Sequence, residues 1–563
     1  MGNWRINIIF LFIIIITAAI ISRLFYLQIF QYDYYKALAT GQQKDFKLTE
    51  GERGNVFFKN GQLLATSIKV KYVFVLPKII KNDDKEKIAL KISEILALDK
   101  EKVLEKLNSN TPFEVIKKDI SKEEAAAIKK ENLSGVYIEE MVLRKYPQDR
   151  MASQIIGFLG GNNIGQYGIE GYYDKILRGK TFFKEKEKGY IGFFFDSSER
   201  KPQNGADIYL TVDYNVQLIA EKLLKKAKDD FDIEGGLIIV SEPNSGKILA
   251  LAHLPNFNPN SYSEEKNFTI FQNSAIQRFY EPGSVLKVIT MAAALNEKKI
   301  TPQTTYVDEG FVKSGGYTIS NYHQKVWGKR TMTEVLEKSI NTGAIFAERQ
   351  IGDKVFLEYL EKFGFFKPTN IDLQGEIFSE NKEFKKGYEI NFLTASFGQG
   401  IEITPIQLIR AFSAIANNGK ILEPYIVEKI IDNGKIVEIK PKISDEYIIS
   451  PEALNQLITM MISVVDKNPG GKAKIPGYYI AGKTGTSQVP YSSLGINQKG
   501  YSNKTWQSFI GFAPAFNPKF LILVKLDNPK TKDASASAAP IFRDMAKYLI
   551  DYFQIPPDYK IEE

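Results

Sequence analysis

The sequence has no cysteine and only two histidines, His253 and His323, in 563 residues. The first absence excludes disulfides, thiolate catalysis and cysteine metal sites, and leaves the redox compartment undetermined. The second starves histidine-based metal sites, and a Ser-His-Asp triad would have to use a histidine with no recognisable motif around it. For a serine enzyme built from this chain, lysine is a better candidate base than either histidine. Internal repeats, long low-complexity tracts and a basic arm are missing too. The formal charge is +8, but the lysines are spread along the chain. The charge reads as a solvated surface and not as a nucleic-acid site.

What is present describes a folded protein, 44% hydrophobic and 25% charged, long enough for two or three domains. Only one apolar run is long enough to cross a bilayer. It runs from Ile6 to Ser22 and is prolonged past Arg23 by Leu24 to Phe30. Ala37-Leu38-Ala39 is a passable signal-peptidase sequence, but it lies far beyond the run and behind Tyr34 and Tyr35, so an uncleaved anchor is the better reading. Arg5 and the amino terminus favour a cytoplasmic start, against Arg23 and Lys36 on the other flank. The chain divides into a cytoplasmic N-terminus and anchor (1–40), a membrane-proximal α+β region (41–205) and a C-terminal domain (206–563).

In the membrane-proximal region, Tyr72 to Leu76 reads as a strand, and Lys85 to Leu107 and Lys122 to Glu131 have helical spacing. Glu185 to Lys201 reads as an excursion before the next domain. That domain opens with strand-like Asp207 to Asp213 and an amphipathic helix over Tyr214 to Lys228. Gly236 to Val240 and Lys247 to Ala252 make a hairpin around Pro243-Asn244-Ser245-Gly246. Three further strands are predicted at Tyr479–Thr486, Ser508–Ala513 and Phe520–Leu526, with a helix at Ile541–Tyr552. The stretch between is mainly helical, including Ile406 to Ala416. A sheet built from both ends of the domain around a helical insert is an α+β arrangement.

The chemistry centres on Tyr280-Glu281-Pro282-Gly283-Ser284-Val285-Leu286-Lys287, followed by apolar Val288 to Leu295. Pro282 and Gly283 are turn residues, so Ser284 is expected in the first turn of a buried helix, with Lys287 on the same face. Unpaired backbone N–H groups and the helix dipole surround a serine so placed. It is positioned to be a nucleophile with the lysine as base. Ser-x-x-Lys alone is weak, because it recurs at Ser198/Lys201, Ser263/Lys266 and Ser379/Lys382. A second motif, Ser339-Ile340-Asn341, follows a helical segment from Met332 to Lys338. It is imitated by Ser379-Glu380-Asn381. A third, Lys483-Thr484-Gly485-Thr486, suits a strand edge where a glycine admits a substrate backbone.

These three motifs in this order resemble those of penicillin-binding proteins and class A β-lactamases. Over nearly its whole length the chain resembles the class B penicillin-binding proteins, the monofunctional peptidoglycan transpeptidases. Further matching stretches are Arg144-x-Tyr146-Pro147, Gly168-Ile169-Glu170, Leu210-Thr211-Val212-Asp213 with Gln217, Gly398-Gln399-Gly400, Thr404-Pro405-x-Gln407 and Gly511-Phe512-Ala513-Pro514. One departure is Phe58-Lys59-Asn60-Gly61, where the family usually has Asp-Arg-Asn-Gly after Arg53-Gly54.

The resemblance implies a single anchor helix, an elongated membrane-proximal region and a C-terminal transpeptidase domain whose antiparallel sheet is flanked by helices. It implies that Ser284 attacks a D-alanyl-D-alanine stem peptide and that an amine of a neighbouring stem resolves the acyl-enzyme. Lys287 would be the base and Ser339 the proton relay, with Asn341 holding the substrate amide. Lys483, Thr484 and Thr486 would bind the terminal carboxylate, with Gly485 letting the substrate approach. The backbone N–H groups of Ser284 and Thr486 would form the oxyanion hole. β-Lactams should acylate the same serine. No metal or cofactor is implied. The implied partner is a separate SEDS-type membrane glycan polymerase, and the location is the cytoplasmic membrane, single-pass, with the catalytic domain outside. The glycine-rich stretch, Ser-x-Asn and compact insert look more like the division transpeptidase than the elongation one. The rivals are a β-lactamase, a D,D-carboxypeptidase and an inactive envelope scaffold.

Overall fold

The computed structural model describes residues 4–30, 44–188, 194–196, 203–380, 382–467 and 472–560. The Ala37-Leu38-Ala39 sequence, Ser198/Lys201, Asn381 and much of the Glu185–Lys201 excursion lie outside them. The chain forms two compact units, Met1–Arg53 with Arg178–Gly205, and Gly54–Leu177 with Ala206–Glu563.

The first unit holds the helix Trp4–Phe25, which continues as a π-helical segment over Tyr26–Phe30. Ile8–Ile29 has a mean hydropathy of 2.8 and is long and apolar enough to cross a membrane. The same unit carries a small antiparallel sheet in which Thr181–Lys188 lies between Lys44–Glu50 and Phe194–Asp196.

The second unit has two principal sheets. One consists of Ile248–Leu254, Gly235–Ser241, Phe520–Asp527, Tyr501–Ala513 and Ala481–Pro490 in that spatial order, all antiparallel. Its alternating side chains enter two separate cores. Ile238, Val240, Ile522 and Val524 pack with the helices Tyr214–Phe231 and Ala538–Tyr552. Leu237, Ile239, Leu521 and Leu523 pack with Ile289 and Ala293 of the helix Lys287–Asn296 and with Leu457 and Met461 of Pro451–Lys467. A sheet covered by helices on both faces explains why these strands read as continuous apolar runs. It also explains a helix with every residue from Lys287 to Leu295 buried.

Asp207–Leu210 departs from expectation. It does not extend this sheet but pairs with Val427–Asp432 on one side and, in parallel, with Val56–Phe57 on the other. It thereby ties the region after Gly54 to the C-terminal part of the chain, and both contribute to one hydrophobic core. The departure at Phe58-Lys59-Asn60-Gly61 is accommodated there. Phe58 is fully buried edge-on against Tyr214, and Asn60 Nδ2 donates to Asp213 Oδ2 at 3.1 Å. The predicted Lys85–Leu107 helix is two helices, Asn82–Leu96 and Lys100–Leu107. They are separated by left-handed Ala97 and the cap Asp99, whose carboxylate accepts from Glu101 N at 2.8 Å.

Candidate active site

Ser284 sits in the 3₁₀ turn Gly283–Leu286, immediately before the α-helix that begins at Lys287. The sequence reading placed it in the first turn of this helix, and that turn is 3₁₀, as first turns often are. The turn is closely packed. Gly283 has φ +59°, and its amide donates to Gly398 O at 3.0 Å. A Cβ on Gly398 would come within 2.0 Å of Gly283 O. Three glycines bring the turn, the Gly398 loop and the third-motif strand together, for a Cβ on Gly485 would lie 2.6 Å from Pro282 O. Ser284 itself is half-buried.

Lys287 is fully buried. Its Nζ donates to Ser339 O at 2.6 Å and Asn341 Oδ1 at 2.8 Å, and lies 3.3 Å from Ser339 Oγ. Burial, reinforced by the charge of Lys483, drives its pKa well below the ordinary lysine value. A neutral amine keeps two donors, which match the carbonyl and the carboxamide, and presents its lone pair to a hydroxyl.

Ser339 occupies a left-handed backbone position, φ +56°, between the helix Met332–Glu337 and the helix that starts at Asn341. A non-glycine residue held there stores strain, about 1–2 kcal/mol. The turn sets its hydroxyl within reach of both lysines, 3.3 Å from Lys287 Nζ and 3.1 Å from Lys483 Nζ. Asn341 uses its carboxamide twice, accepting from Lys287 and donating to Ser320 O at 3.1 Å.

Lys483, Thr484, Gly485 and Thr486 lie on Ala481–Pro490, at the edge of the five-stranded sheet. Lys483 is 1% exposed, and burial pulls its pKa to about 7. Besides Ser339 Oγ, its Nζ reaches Thr484 O at 3.1 Å. Thr484 and Thr486 are half-buried, and Thr486 Oγ1 accepts from Ala534 N at 3.2 Å. The three motifs thus converge: Lys287 and Lys483 share the Ser339 hydroxyl, and the turn bearing Ser284 packs on the strand bearing Lys483.

The imitations stay apart from this group. Ser263 is in the 3₁₀ segment Pro259–Glu264, and Lys382 pairs with Glu380 at 3.5 Å. His323 lies tilted against exposed Tyr322 with centroids 4.0 Å apart, and His253 is buried among other groups. Sequence reasoning missed the support beneath Asn341. Asp308, 2% exposed, receives Asn321 Nδ2 at 2.9 and 3.0 Å and Thr342 Oγ1 at 2.6 Å. Asn321 Oδ1 in turn accepts from the amides of Asn341 and Thr342. No motif marks Asp308 or Asn321, which belong to short segments far upstream of the residues they hold. Glu281 was quoted only as a flank. It is buried, with the Tyr501 hydroxyl on its carboxyl and its carbonyl accepting from Ser487 Oγ at 2.7 Å.

A sheet-backed serine turn beside two buried lysines is the arrangement in which the three motifs meet. The chain belongs to the penicillin-binding protein transpeptidase family. The profile of the penicillin binding protein transpeptidase domain matches residues 236–547, and that of the penicillin-binding protein dimerisation domain matches 48–210. Stage V sporulation protein D of Bacillus subtilis is 32% identical over 98% of this chain and 86% of its own length. The peptidoglycan D,D-transpeptidase FtsI of Buchnera aphidicola is 31% identical over 99% and 96%. Among solved structures, penicillin binding protein 3 of Mycobacterium tuberculosis, complexed with aztreonam, shares the fold at a TM-score of 0.71 and 23% identity, covering 91% of this chain and 98% of that one.

Proposed function

We propose that this chain is a membrane-anchored peptidoglycan D,D-transpeptidase that cross-links stem peptides through an acyl-enzyme at Ser284. The observation that carries the reading is the pair of buried lysines around one hydroxyl, Lys287 held off its proton by burial and Lys483 close to neutrality in its titration.

In the forward step Ser284 Oγ bonds to the carbonyl carbon between the two terminal D-alanines and gives its proton to the Lys287 lone pair. A free lysine, with a pKa of about 10.4, is rarely neutral at pH 7, so the depressed pKa is what makes this step available. The oxyanion is met by the backbone N–H groups of Ser284 and Thr486, each typically worth about 3 kcal/mol. The C–N bond then breaks and the proton passes from Lys287 through Ser339 to the departing D-alanine. In the return step an acceptor amine attacks the ester, its proton moves to Lys287, and Ser284 leaves reprotonated. One covalent ester thus serves two half-reactions.

Lys483, Thr484 and Thr486 bind the terminal carboxylate. The edge strand offers backbone groups to an extended peptide, and Gly485 gives it no side chain to meet. Asn341 orients Lys287 through Oδ1 and keeps one N–H for a substrate carbonyl. β-Lactams present the same acyl and carboxylate groups and acylate Ser284.

The helix over Ile8–Ile29 anchors the chain once in the cytoplasmic membrane, with the catalytic domain on the outer side. The role we favour is septal rather than in elongation, and the relative named peptidoglycan D,D-transpeptidase FtsI supports the activity itself. A SEDS-type glycan polymerase, contacted through the anchor and the membrane-proximal domain, is the partner for strand synthesis. The test is intact-mass analysis after penicillin, comparing wild type, Ser284→Ala and Ser379→Ala. A stable adduct absent only from Ser284→Ala supports the reading. Consumed penicillin with no adduct points to a β-lactamase, and neither adduct nor consumption points to a scaffold.

A further inference from the structure

Asn341 orients Lys287, and Asn341 is itself held by a chain of hydrogen bonds that begins at a buried acid. The Asp308 carboxylate uses both of its oxygens. Oδ1 accepts from Gly310 N at 2.9 Å and Thr342 Oγ1 at 2.6 Å, and Oδ2 accepts from Trp327 N at 2.7 Å. Asn321 Nδ2 donates to both, at 3.0 and 2.9 Å. Each oxygen therefore faces a backbone N–H, and a carboxamide in this place would turn its NH₂ against one of them.

The acid fixes the sense of Asn321. A side-chain amide can be turned over, exchanging its oxygen and its nitrogen. Because a carboxylate only accepts, Asn321 must give it Nδ2, which also donates to Lys325 O at 3.0 Å. Oδ1 is then left for the amides of Asn341 and Thr342, accepting at 3.0 and 3.1 Å. These N–H groups open the helix Asn341–Ile351, whose own N-cap, Ile340, has no side chain to accept them. The next residue back, Ser320, takes the Asn341 Nδ2 on its carbonyl at 3.1 Å, which leaves Asn341 Oδ1 for Lys287 Nζ at 2.8 Å.

We propose that Asp308 is a positioning residue for acylation, acting through Asn321 to hold Asn341, and with it the Lys287 amine, against Ser339. This role rests on reading Ser284 as the nucleophile and Lys287 as its base. A helix cap by itself needs no buried acid, since a local serine or threonine serves. Burying a carboxylate is costly, and the return here is a single orientation for Asn321 and a single place for the helix that begins at Asn341.

The test is the rate at which penicillin acylates Ser284 in the full chain, read by rapid-quench intact mass at pH 5 and pH 8, well below the melting temperature of each protein. Asp308→Asn is isosteric and should slow acylation by about 10- to 100-fold at both pH values, the cost of a misplaced base. Asn321→Asp has a sharper signature. It sets an oxygen where the nitrogen now lies 3.0 and 2.9 Å from the Asp308 oxygens. Two carboxylates this close share a proton at low pH and repel once it is lost. The shared proton restores the order of donors and acceptors, so the ratio of variant to wild-type rates should fall as pH rises from 5 to 8. Adding Asp308→Asn to Asn321→Asp removes the second carboxylate and should make that ratio independent of pH. The other titratable groups around the pair, Tyr306, Arg330 with its partner Glu334, Lys325 and exposed His323, are common to all four proteins and cancel in the ratio. So do Lys287 and Lys483.

A folded Asp308→Asn that acylates at the wild-type rate overturns the positioning role. So does an Asn321→Asp ratio that is flat with pH, and this second reading decides the matter where Asp308→Asn does not fold. In either case wild type still acylates and the transpeptidase reading stands. If wild type takes no penicillin at all, that reading falls and the positioning role falls with it.

Discussion

The hydroxyl of Tyr501 lies 3.0 and 3.1 Å from the two carboxyl oxygens of Glu281, three residues before Ser284. This contact links the far end of the hairpin that carries Lys483 to the segment that carries Ser284. Burial pushes Glu281 up to about 7 from its ordinary 4.5, against the Tyr501 hydrogen bond, which pulls it down. The folded state therefore binds the proton more tightly than the unfolded state does. The resulting stability penalty is absent below pH 4.5, grows as pH rises and is complete above about 7. A shift of this size corresponds to about 3 kcal/mol. Glu281→Gln should leave the melting temperature unchanged at pH 4 and raise it at pH 8, and scanning calorimetry at the two pH values checks both halves.

Acylation should have a bell-shaped pH profile. Its acid limb requires Lys287 to lose a proton, and its alkaline limb reports Lys483, which burial pulls to about 7. Above that value the free enzyme loses the cation that meets a penicillin carboxylate. The second-order acylation rate should fall by about tenfold per pH unit along that limb. Lys483→Arg, which keeps its charge, should be slower but lack the alkaline limb. Rapid-quench mass analysis from pH 5 to 9 distinguishes the two profiles.

Ser339 contributes both a hydroxyl and a strained backbone. Ser339→Ala should lower acylation by about 10²- to 10⁴-fold, the usual worth of positioned proton transfer. Ser339→Gly should be equally slow yet more stable than Ser339→Ala by about 1 kcal/mol, because glycine accepts φ +56° without strain. Urea denaturation beside acylation kinetics separates the two effects.

Arg144 Nε donates to Glu170 Oε1 at 2.7 Å, and the two side chains are 3% and 0% exposed. Removing one partner leaves the other charge buried. Glu170→Gln should therefore lower stability by about 3–5 kcal/mol. Urea unfolding of the full chain measures it, and acylation at low temperature should survive wherever the chain remains folded.

The three motifs that the fold brings together were legible because each depends on short spacing. Ser284 and Lys287 share a face of one helical turn, and Lys483, Thr484, Gly485 and Thr486 follow one another on one strand. Several stretches that carried the family resemblance have structural explanations instead. Thr404 and Gln407 form a capping box around Pro405. Gln217 bridges to Leu251, accepting from its amide at 2.8 Å and donating to its carbonyl at 3.2 Å. Arg144 and Glu170 are the buried pair just described. The close approach of Gly398 to Gly283 beneath that turn was not legible, because the two meet only through the fold. The Asp308–Asn321–Thr342 network was hidden for the same reason: its members meet only through the fold. Asp207–Leu210 has the composition of a strand, but composition does not name its neighbour, and it joined the other sheet.

The antiparallel sheet behind the site joins two strands ending at Leu254 to three that begin only at Ala481. During synthesis the buried, largely apolar helix after Ser284 is made long before the strands that cover it. Pairings this distant in sequence form slowly, because a long loop must close first. For this chain, the order means that a truncated or stalled product exposes a sticky helix and has no Lys483. Reactivity towards β-lactams therefore reports that the chain has been made and folded to its far end.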